Sequence, residues 1–281
     1  MNTDRNTADE QTALWNGASG CAWVDAQELL DGMFKPFEDL LAESVVVESA
    51  GRVLDVGCGT GSTTLAAARS LGAKSRCTGI DISGPMITAA RARAERERTP
   101  ATFIQDDAQT HSFEPASFDA IISRFGVMFF DDGVRAFANL RHAARNGAHL
   151  RFIAWRDAAE NPFMTTAERA AAPLLTNLPV RRPNAPGQFA FADQDRVYRI
   201  LKESGWAEID IKPIDIACVF PERELVPYLT RFGPLARALD QAQAQIRSQV
   251  VETVRPAFDP YVQGSEVRFI AACWVVSARA L

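Results

Sequence analysis

The sequence predicts an α/β fold: a doubly wound sheet covered by helices on both faces, with N-terminal helices and two helical insertions. Three observations lead there. Val53-Leu-Asp-Val-Gly-Cys-Gly-Thr-Gly61 is a short apolar run entering a glycine-rich turn and then a helical pattern, as the first βα unit of such a sheet does. Further short apolar runs then alternate with amphipathic stretches as far as Trp155, without the polar alternation of half-exposed strands. Two longer apolar runs, at 207–220 and 267–278, close the chain as a hairpin-like pair.

Residues 1 to about 10 are polar and expected to be disordered. From Thr12 to Glu48 apolar residues recur at helical spacing through Leu29, Leu30, Met33, Phe37, Leu40 and Leu41, with a break at Pro36. Within that stretch Trp15-Asn-Gly17 and Trp23 have two readings: packing anchors, or a segment folded over a ligand. Strands are placed at 52–56, 76–81, 101–105, 118–123 and 149–155. Helices fall at 62–71, 84–98 and 131–145, the last capped by Asn146-Gly147. Residues 157–192 hold prolines at 162, 173, 179, 183 and 186 among aromatic and aliphatic residues, which predicts an irregular helical insertion. A helix at 193–204 closed by Gly205 follows, then a strand at 207–220, long or bulged at Pro213. A second helical insertion covers 221–258, its main helix placed at 225–254, and a last strand covers 267–278. The expected organisation is one integrated domain: 1–48 a helical lid, 49–156 the ligand-binding core, 157–192 an insertion, 193–220 core, 221–260 a second insertion, 261–281 the final strand.

At 281 residues, with net charge −5 and a pI near 5.4, the chain does not carry the basic surface of a nucleic-acid binder. The one basic run, Arg91 to Arg98, is interleaved with glutamates and reads as a solvated helix face. Five scattered cysteines without a CxxC pair fit neither a zinc site nor a disulfide framework and predict a reducing compartment; no metal is expected. The N-terminus lacks the apolar core of a secretory signal and no apolar run has the length of a membrane span, so a cytoplasmic location is expected.

The glycines at 57, 59 and 61 follow GxGxG, not the dinucleotide GxGxxG, and no Lys-Ser/Thr pair completes a phosphate loop. What remains is a turn whose missing side chains let the backbone approach a small ligand, with Asp55 at the strand's end. Asp55-Val-Gly-Cys-Gly-Thr-Gly61 resembles motif I of the class I S-adenosylmethionine-dependent methyltransferases. The runs Ser123-Arg-Phe-Gly-Val-Met-Phe-Phe130 and Trp15-Asn-Gly17 are similar to a bacterial subgroup related to the quinone and sterol methyltransferases. The resemblance covers 52–156 motif by motif and the last two strands in outline. It implies a Rossmann-like sheet of seven strands, mostly parallel with the last antiparallel, binding S-adenosylmethionine and releasing S-adenosylhomocysteine.

On that resemblance the glycine turn contributes Asp55, Gly57, Cys58, Gly59 and Gly61 to the cofactor site. Asp81, ending the second strand, is placed to accept both ribose hydroxyls, although the same position would serve a nicotinamide ribose. Its other reading, the N-cap of the following helix, is better filled by Ser83. In Gln105-Asp-Asp-Ala108, Asp107 and Ala108 correspond to the pair that meets adenine, and Asp106 to a surface residue. Ile82 and Met86 supply the apolar face, with plain core an equal reading of Met86. The backbone at Ser123 faces the methionine ammonium, and Arg124 its carboxylate, an acidic substrate or a neighbouring acid. Trp15 belongs to the covering segment; Phe125, Phe129, Trp155 and Phe189 line the acceptor pocket.

Methyl transfer is an in-line displacement from an activated leaving group, so alignment and exclusion of water can supply much of the catalysis. His111, His142 and His149 are the candidate bases, and none is assigned. The chain lacks the Asn/Asp-Pro-Pro-Tyr and Pro-Cys signatures of nucleic-acid methylation, which with the acidic pI points to a small, partly apolar acceptor. Two other readings stand: a cofactor-binding module without catalysis, and a nicotinamide-dependent oxidoreductase, against which the glycine spacing and the lack of a Tyr-x-x-x-Lys pair argue. A monomer or homodimer is expected.

Overall fold

The computed structural model describes residues 3–48, 50–175, 178, 181–182, 184–240 and 242–281, with side chains from residue 10 onward. Its strands are β1 (Arg52–Val56), β2 (Arg76–Asp81), β3 (Ala101–Gln105), β4 (Phe118–Arg124), β5 (Ala144–Trp155), β6 (Ala207–Pro221), β7 (Val262–Gln263) and β8 (Glu266–Arg279). They form one sheet in the order β3-β2-β1-β4-β5-β8-β6, with β7 paired to β8 beside that path. β1 to β5 are parallel; β8 runs antiparallel to both β5 and β6. The fold is the doubly wound, mostly parallel sheet that the sequence predicts.

β1 explains why. Every residue after Arg52 in it is buried, which a strand covered on both faces requires and an apolar pentapeptide permits. The chain winds outward from β1 to β3, then returns to β4 on the other side of β1. Right-handed crossovers therefore put α5 (Ser62–Leu71) and α6 (Gly84–Glu97) on one face, and α7 (Gly133–Ala143) on the other with α9 (Gln194–Glu203). The reversal opens a crevice at the C-terminal ends of β1 and β4, the place where such sheets bind ligands.

Before β1 come α1 (Thr3–Asn16), α2 (Ala18–Asp25), α3 (Gln27–Met33) and α4 (Lys35–Val47), which starts with Pro36 in its first turn as the sequence break implies. α4 packs on α5, and its buried Glu38 accepts a hydrogen bond from the Ser62 hydroxyl in the first turn of α5, where the helix dipole favours a carboxylate. α8 (Pro162–Ala171) follows β5, and α10 (Leu225–Arg231), α11 (Gly233–Asp240) and α12 (Ala244–Val254) follow β6. Both groups leave the same edge of the sheet, the one carrying the crevice.

Several expectations are corrected. The N-terminal residues are helical from Thr3, not disordered. Asn146-Gly147 is no helix cap: α7 ends at Ala143, β5 begins at Ala144, and the ladder to β4 shifts register so that 145–148 loop out, with Gly147 at φ +82°. Pro213 sits in unbroken register with Trp274, tolerated because β6 is the edge strand; the irregularity is at Ala207–Asp210, where Glu208 has φ +48°. The single helix expected at 225–254 is three helices. Arg93 turns inward from the basic run to pair with Asp31 at 2.6 Å and Glu97 at 2.8 Å. The prolines expected at 179 and 183 lie outside the described residues.

Candidate functional site

The glycine turn is locked into place by backbone. Ile80 C=O accepts both the Gly57 N–H at 2.8 Å and the Cys58 N–H at 3.1 Å. Gly57 has φ +67°, and a Cβ on it would stand 2.5 Å from Gly126 Cα, so the turns after β1 and β4 touch through two glycines. Ser123 Oγ donates to Val56 C=O at 2.7 Å and accepts the Gly126 N–H at 3.1 Å. Asp81 ties in the third turn: its carboxylate accepts the Gly59 N–H at 2.8 Å and the Ser83 N–H at 2.9 Å. Ser83, as expected, caps α6 by accepting the Met86 N–H.

In front of these turns lies a cavity of about 1180 Å³, bounded by the strand ends, α1, α2 and both insertions. Trp15, Gly57, Gly59, Asp81, Ile82, Met86, Asp107, Ala108, Arg124, Phe125, Phe129, Trp155 and Phe189 all line it. A recess of about 40 Å³ shares Gly57, Gly59, Arg124 and Phe125 with it and reaches Asp55 and Cys58. Two predicted residues face elsewhere. Gly61, at φ +84°, would bring a Cβ within 3.0 Å of the Phe103 ring, so it serves helix packing, not the cavity. Ser123 is fully buried, its hydroxyl spent between the two glycine turns. Asp106 is exposed, as expected, with 49 % of its side chain accessible; it borders the cavity and pairs with His111 Nδ1 at 2.7 Å. No histidine lines either space; His149 pairs with Glu48 at 2.6 Å near the opposite end of the sheet.

Charge is buried at the recess. Asp55 is 1 % exposed; Thr64 Oγ1 donates to one oxygen at 2.7 Å, while the other has no hydrogen-bond partner among the described residues. Burial pushes its pKa up to about 7, with the Thr64 bond and the Arg124 charge opposing. Arg124 is enclosed too, with Nη1 unpartnered among the described residues, and its guanidinium lies 6.0 Å from the Phe34 ring centre. Burial lowers its pKa against the pull of Asp31, Glu38 and Asp55. Burial also raises the pKa of Asp81, which the N–H bonds at Ser83, Gly59 and Ile82 offset. The recess thus presents an unpaired carboxyl oxygen and an unpaired guanidinium nitrogen beside one glycine turn.

Aromatic rings form the rest of the wall. Phe125 takes the left-handed conformation, φ +64°, which for a bulky residue costs on the order of 1–3 kcal/mol. Its ring stacks on Trp155 with centres 4.9 Å apart. Trp15 meets Phe129 edge-on at 5.1 Å and Trp23 at 6.1 Å, so packing anchor and cavity wall are one role here. Sequence reasoning missed how the N-terminal segment is held. Asn16 donates to Ile82 C=O at 3.0 Å and accepts the Gly84 N–H at 2.9 Å, while Ser83 Oγ donates to Trp15 C=O at 2.6 Å. The signal was there, an asparagine between a tryptophan and a glycine, but its partner is 66 residues away.

Comparison with known proteins agrees with this architecture. A family profile described as a methyltransferase domain matches residues 53–147. The chain is 33% identical over 120 residues to aklanonic acid methyltransferase DauC of Streptomyces sp. strain C5, covering 42% of this chain and 54% of that one. It is 34% identical over 100 residues to the ubiquinone/menaquinone biosynthesis C-methyltransferase UbiE of Rhizobium leguminosarum bv. trifolii, covering 34% of this chain and 39% of that one. The chain therefore spans about half the length, or less, of these curated relatives. The crystal structure of the YcgJ protein from Bacillus subtilis shares the fold, with TM-score 0.56 at 15% identity over 86% of this chain and 97% of the other. The glycine turn and the strand order agree with the profile match: residues 53–147 are similar to a methyltransferase domain.

Proposed function

We propose that the protein transfers the methyl group of S-adenosylmethionine to a small, partly apolar acceptor. One observation carries the reading: a buried carboxyl and a half-buried guanidinium, each with a buried atom unpaired among the described residues, share one recess beside the glycine turn. A ligand bearing both an ammonium and a carboxylate supplies the missing partners of Asp55 and Arg124, and few other small molecules do. Asp81, facing the cavity with its remaining lone pairs, is suited to accept hydroxyls; Asp107 and Ala108, with Ile82 and Met86, form the polar edge and apolar face for a base.

When bound, the cofactor supplies an electrophilic methyl group on a positively charged sulfur. The protein's own contribution is placement. Gly57 and Gly59 admit the ligand against backbone, the Phe125–Trp155 stack shapes the wall, and Trp15, Phe129 and the insertions keep water away. No side chain is assigned as a base, since no histidine lines the cavity.

The test is a calorimetric titration with S-adenosylhomocysteine on the native protein and on Asp81→Asn. The expected result is one saturable site that the substitution weakens by about 1.5–3 kcal/mol, the range for a hydrogen bond to a charged group. Binding of NADH with none of S-adenosylhomocysteine would overturn the proposal. Cofactor binding without S-adenosylhomocysteine release across a panel of apolar phenols, acids and amines would leave only the binding-module reading.

A further inference from the structure

The cavity's 1180 Å³ exceeds what one drug-sized ligand needs, so a second molecule has room beside the methyl donor. The wall remote from the glycine turn is built by the two insertions, and its character is distinct. Phe163 in α8, Tyr228 in α10 and Phe258 just after α12 face the space and touch one another, with ring centres 5.2 Å apart for Phe163–Phe258 and 6.0 Å for Phe163–Tyr228. Leu235 and Phe232 extend the apolar surface.

Into this surface project two guanidinium groups around one carboxylate. Arg181 grips both oxygens of Glu168 and stacks over the Phe189 ring, 4.7 Å from its centre. Arg237 is close enough to feel the attraction of Glu168 and the repulsion of Arg181, so the three form one cluster with a surplus positive charge. Arg237 makes no hydrogen bond or ion pair among the described residues, yet lines the cavity. Asp157 and Asp193 also line the cavity, where each accepts backbone N–H groups at a helix start, and the charges that act on Arg237 are those of Glu168 and Arg181. Tyr228 adds a donor in search of an acceptor: among the described residues its hydroxyl meets only the thioether of Met164, at 3.7 Å. Burial raises its pKa, so it stays a neutral phenol able to donate.

Resting on the methyl-transfer reading, we propose that the acceptor is an aromatic or polycyclic molecule bearing an anionic group such as a carboxylate, its rings lying against Phe163, Tyr228 and Phe258 and its anion held by Arg237. An apolar wall alone would take neutral and acidic molecules alike; the unneutralised guanidinium makes the choice.

The test uses 2-anthracenecarboxylate and its neutral carboxamide as fluorescent probes, titrated into the 281-residue protein with and without saturating S-adenosylhomocysteine. The carboxylate is expected to bind about tenfold or more tightly than the amide, the factor a charge-assisted bond supplies. Arg237→Gln should remove that preference while leaving amide binding and S-adenosylhomocysteine affinity unchanged; Arg237→Lys should keep part of it. Equal binding of the two probes overturns the proposal, as does a loss of both probes in Arg237→Gln with an unchanged melting temperature, which would make Arg237 a shaping residue only. Absence of any probe binding while S-adenosylhomocysteine binds also overturns it and leaves methyl transfer standing. A protein that prefers the acid but does not bind S-adenosylhomocysteine would fail the methyl-transfer proposal instead.

Discussion

Asp55 is held in a place that resists its charge. In an unfolded chain an aspartate titrates near pH 3.9, whereas burial moves Asp55 in the folded protein up to about 7. Between those values the native state binds a proton that the unfolded state does not. Its contribution to stability is therefore present below about pH 4 and is lost as pH rises through about 7. Asp55→Asn keeps an acceptor for Thr64 and removes the ionisation. Thermal melts should show the variant gaining on the native protein between pH 5 and pH 8; a constant difference would refute the buried titration. Ligand binding runs the other way. A bound ammonium favours the ionised carboxylate, so affinity for S-adenosylhomocysteine should rise through pH 7 in the native protein and stay flat in Asp55→Asn, as read by calorimetry. Such a residue is legible as part of a glycine motif, but its burial and its orphaned oxygen are not, because both depend on what the rest of the chain places around it.

At the level of elements, the insertions are fastened to the sheet by a few polar ties. Asn161, at the start of α8, is 1 % exposed. Its side chain donates to Ala272 C=O at 3.0 Å and accepts the Ala272 N–H at 2.9 Å, mimicking a strand's pairing with β8. Asn161→Ala would leave the Ala272 N–H buried without a partner, at about 1–3 kcal/mol, while Ala272 C=O keeps the Arg156 N–H at 3.0 Å. A urea titration should therefore show a loss of roughly 1–3 kcal/mol, large for a residue distant from the glycine turn. The sequence marks 157–192 as an insertion through its prolines, yet gives no sign of this tie, since an asparagine before proline reads as turn chemistry. The helices and strands of the core were legible because each repeats one period over several residues. The bulge near Glu208 and the loop-out at 145–148 were not, because they answer to register with neighbouring strands.

For the molecule as a whole, the N-terminal helices close over the crevice through contacts that a ligand would reinforce. Gly20 permits α2 to approach, since a Cβ there would collide with Trp15 C=O, and Asn16 then bridges to the loop after β2. Hydrogen exchange should slow across α1 and α2 on adding S-adenosylhomocysteine, while β1 and β4 remain protected throughout. Asn16→Ala should abolish the slowing and weaken binding by about 1–3 kcal/mol, with the urea midpoint of the core unchanged. Protection that does not respond to the ligand would mean that these helices are fixed packing and no lid.

By itself the sequence determined the doubly wound sheet, the glycine turn and the residues that end β1, β2 and β3, because apolar periodicity and glycine spacing are local properties of the chain. It also carries the resemblance to the methyltransferases, through a motif whose residues lie within one βα unit. What only the tertiary structure decided is which side chains share a space. It turned Gly61 and Ser123 toward packing, and set Asp55 beside Arg124 without enough partners for either. It also assembled one cavity wall from Phe163, Tyr228, Phe258 and Arg237. These residues are far apart in sequence and follow no common period; they meet because β5 and β6 end on the same edge of the sheet, a fact of topology that no local pattern encodes.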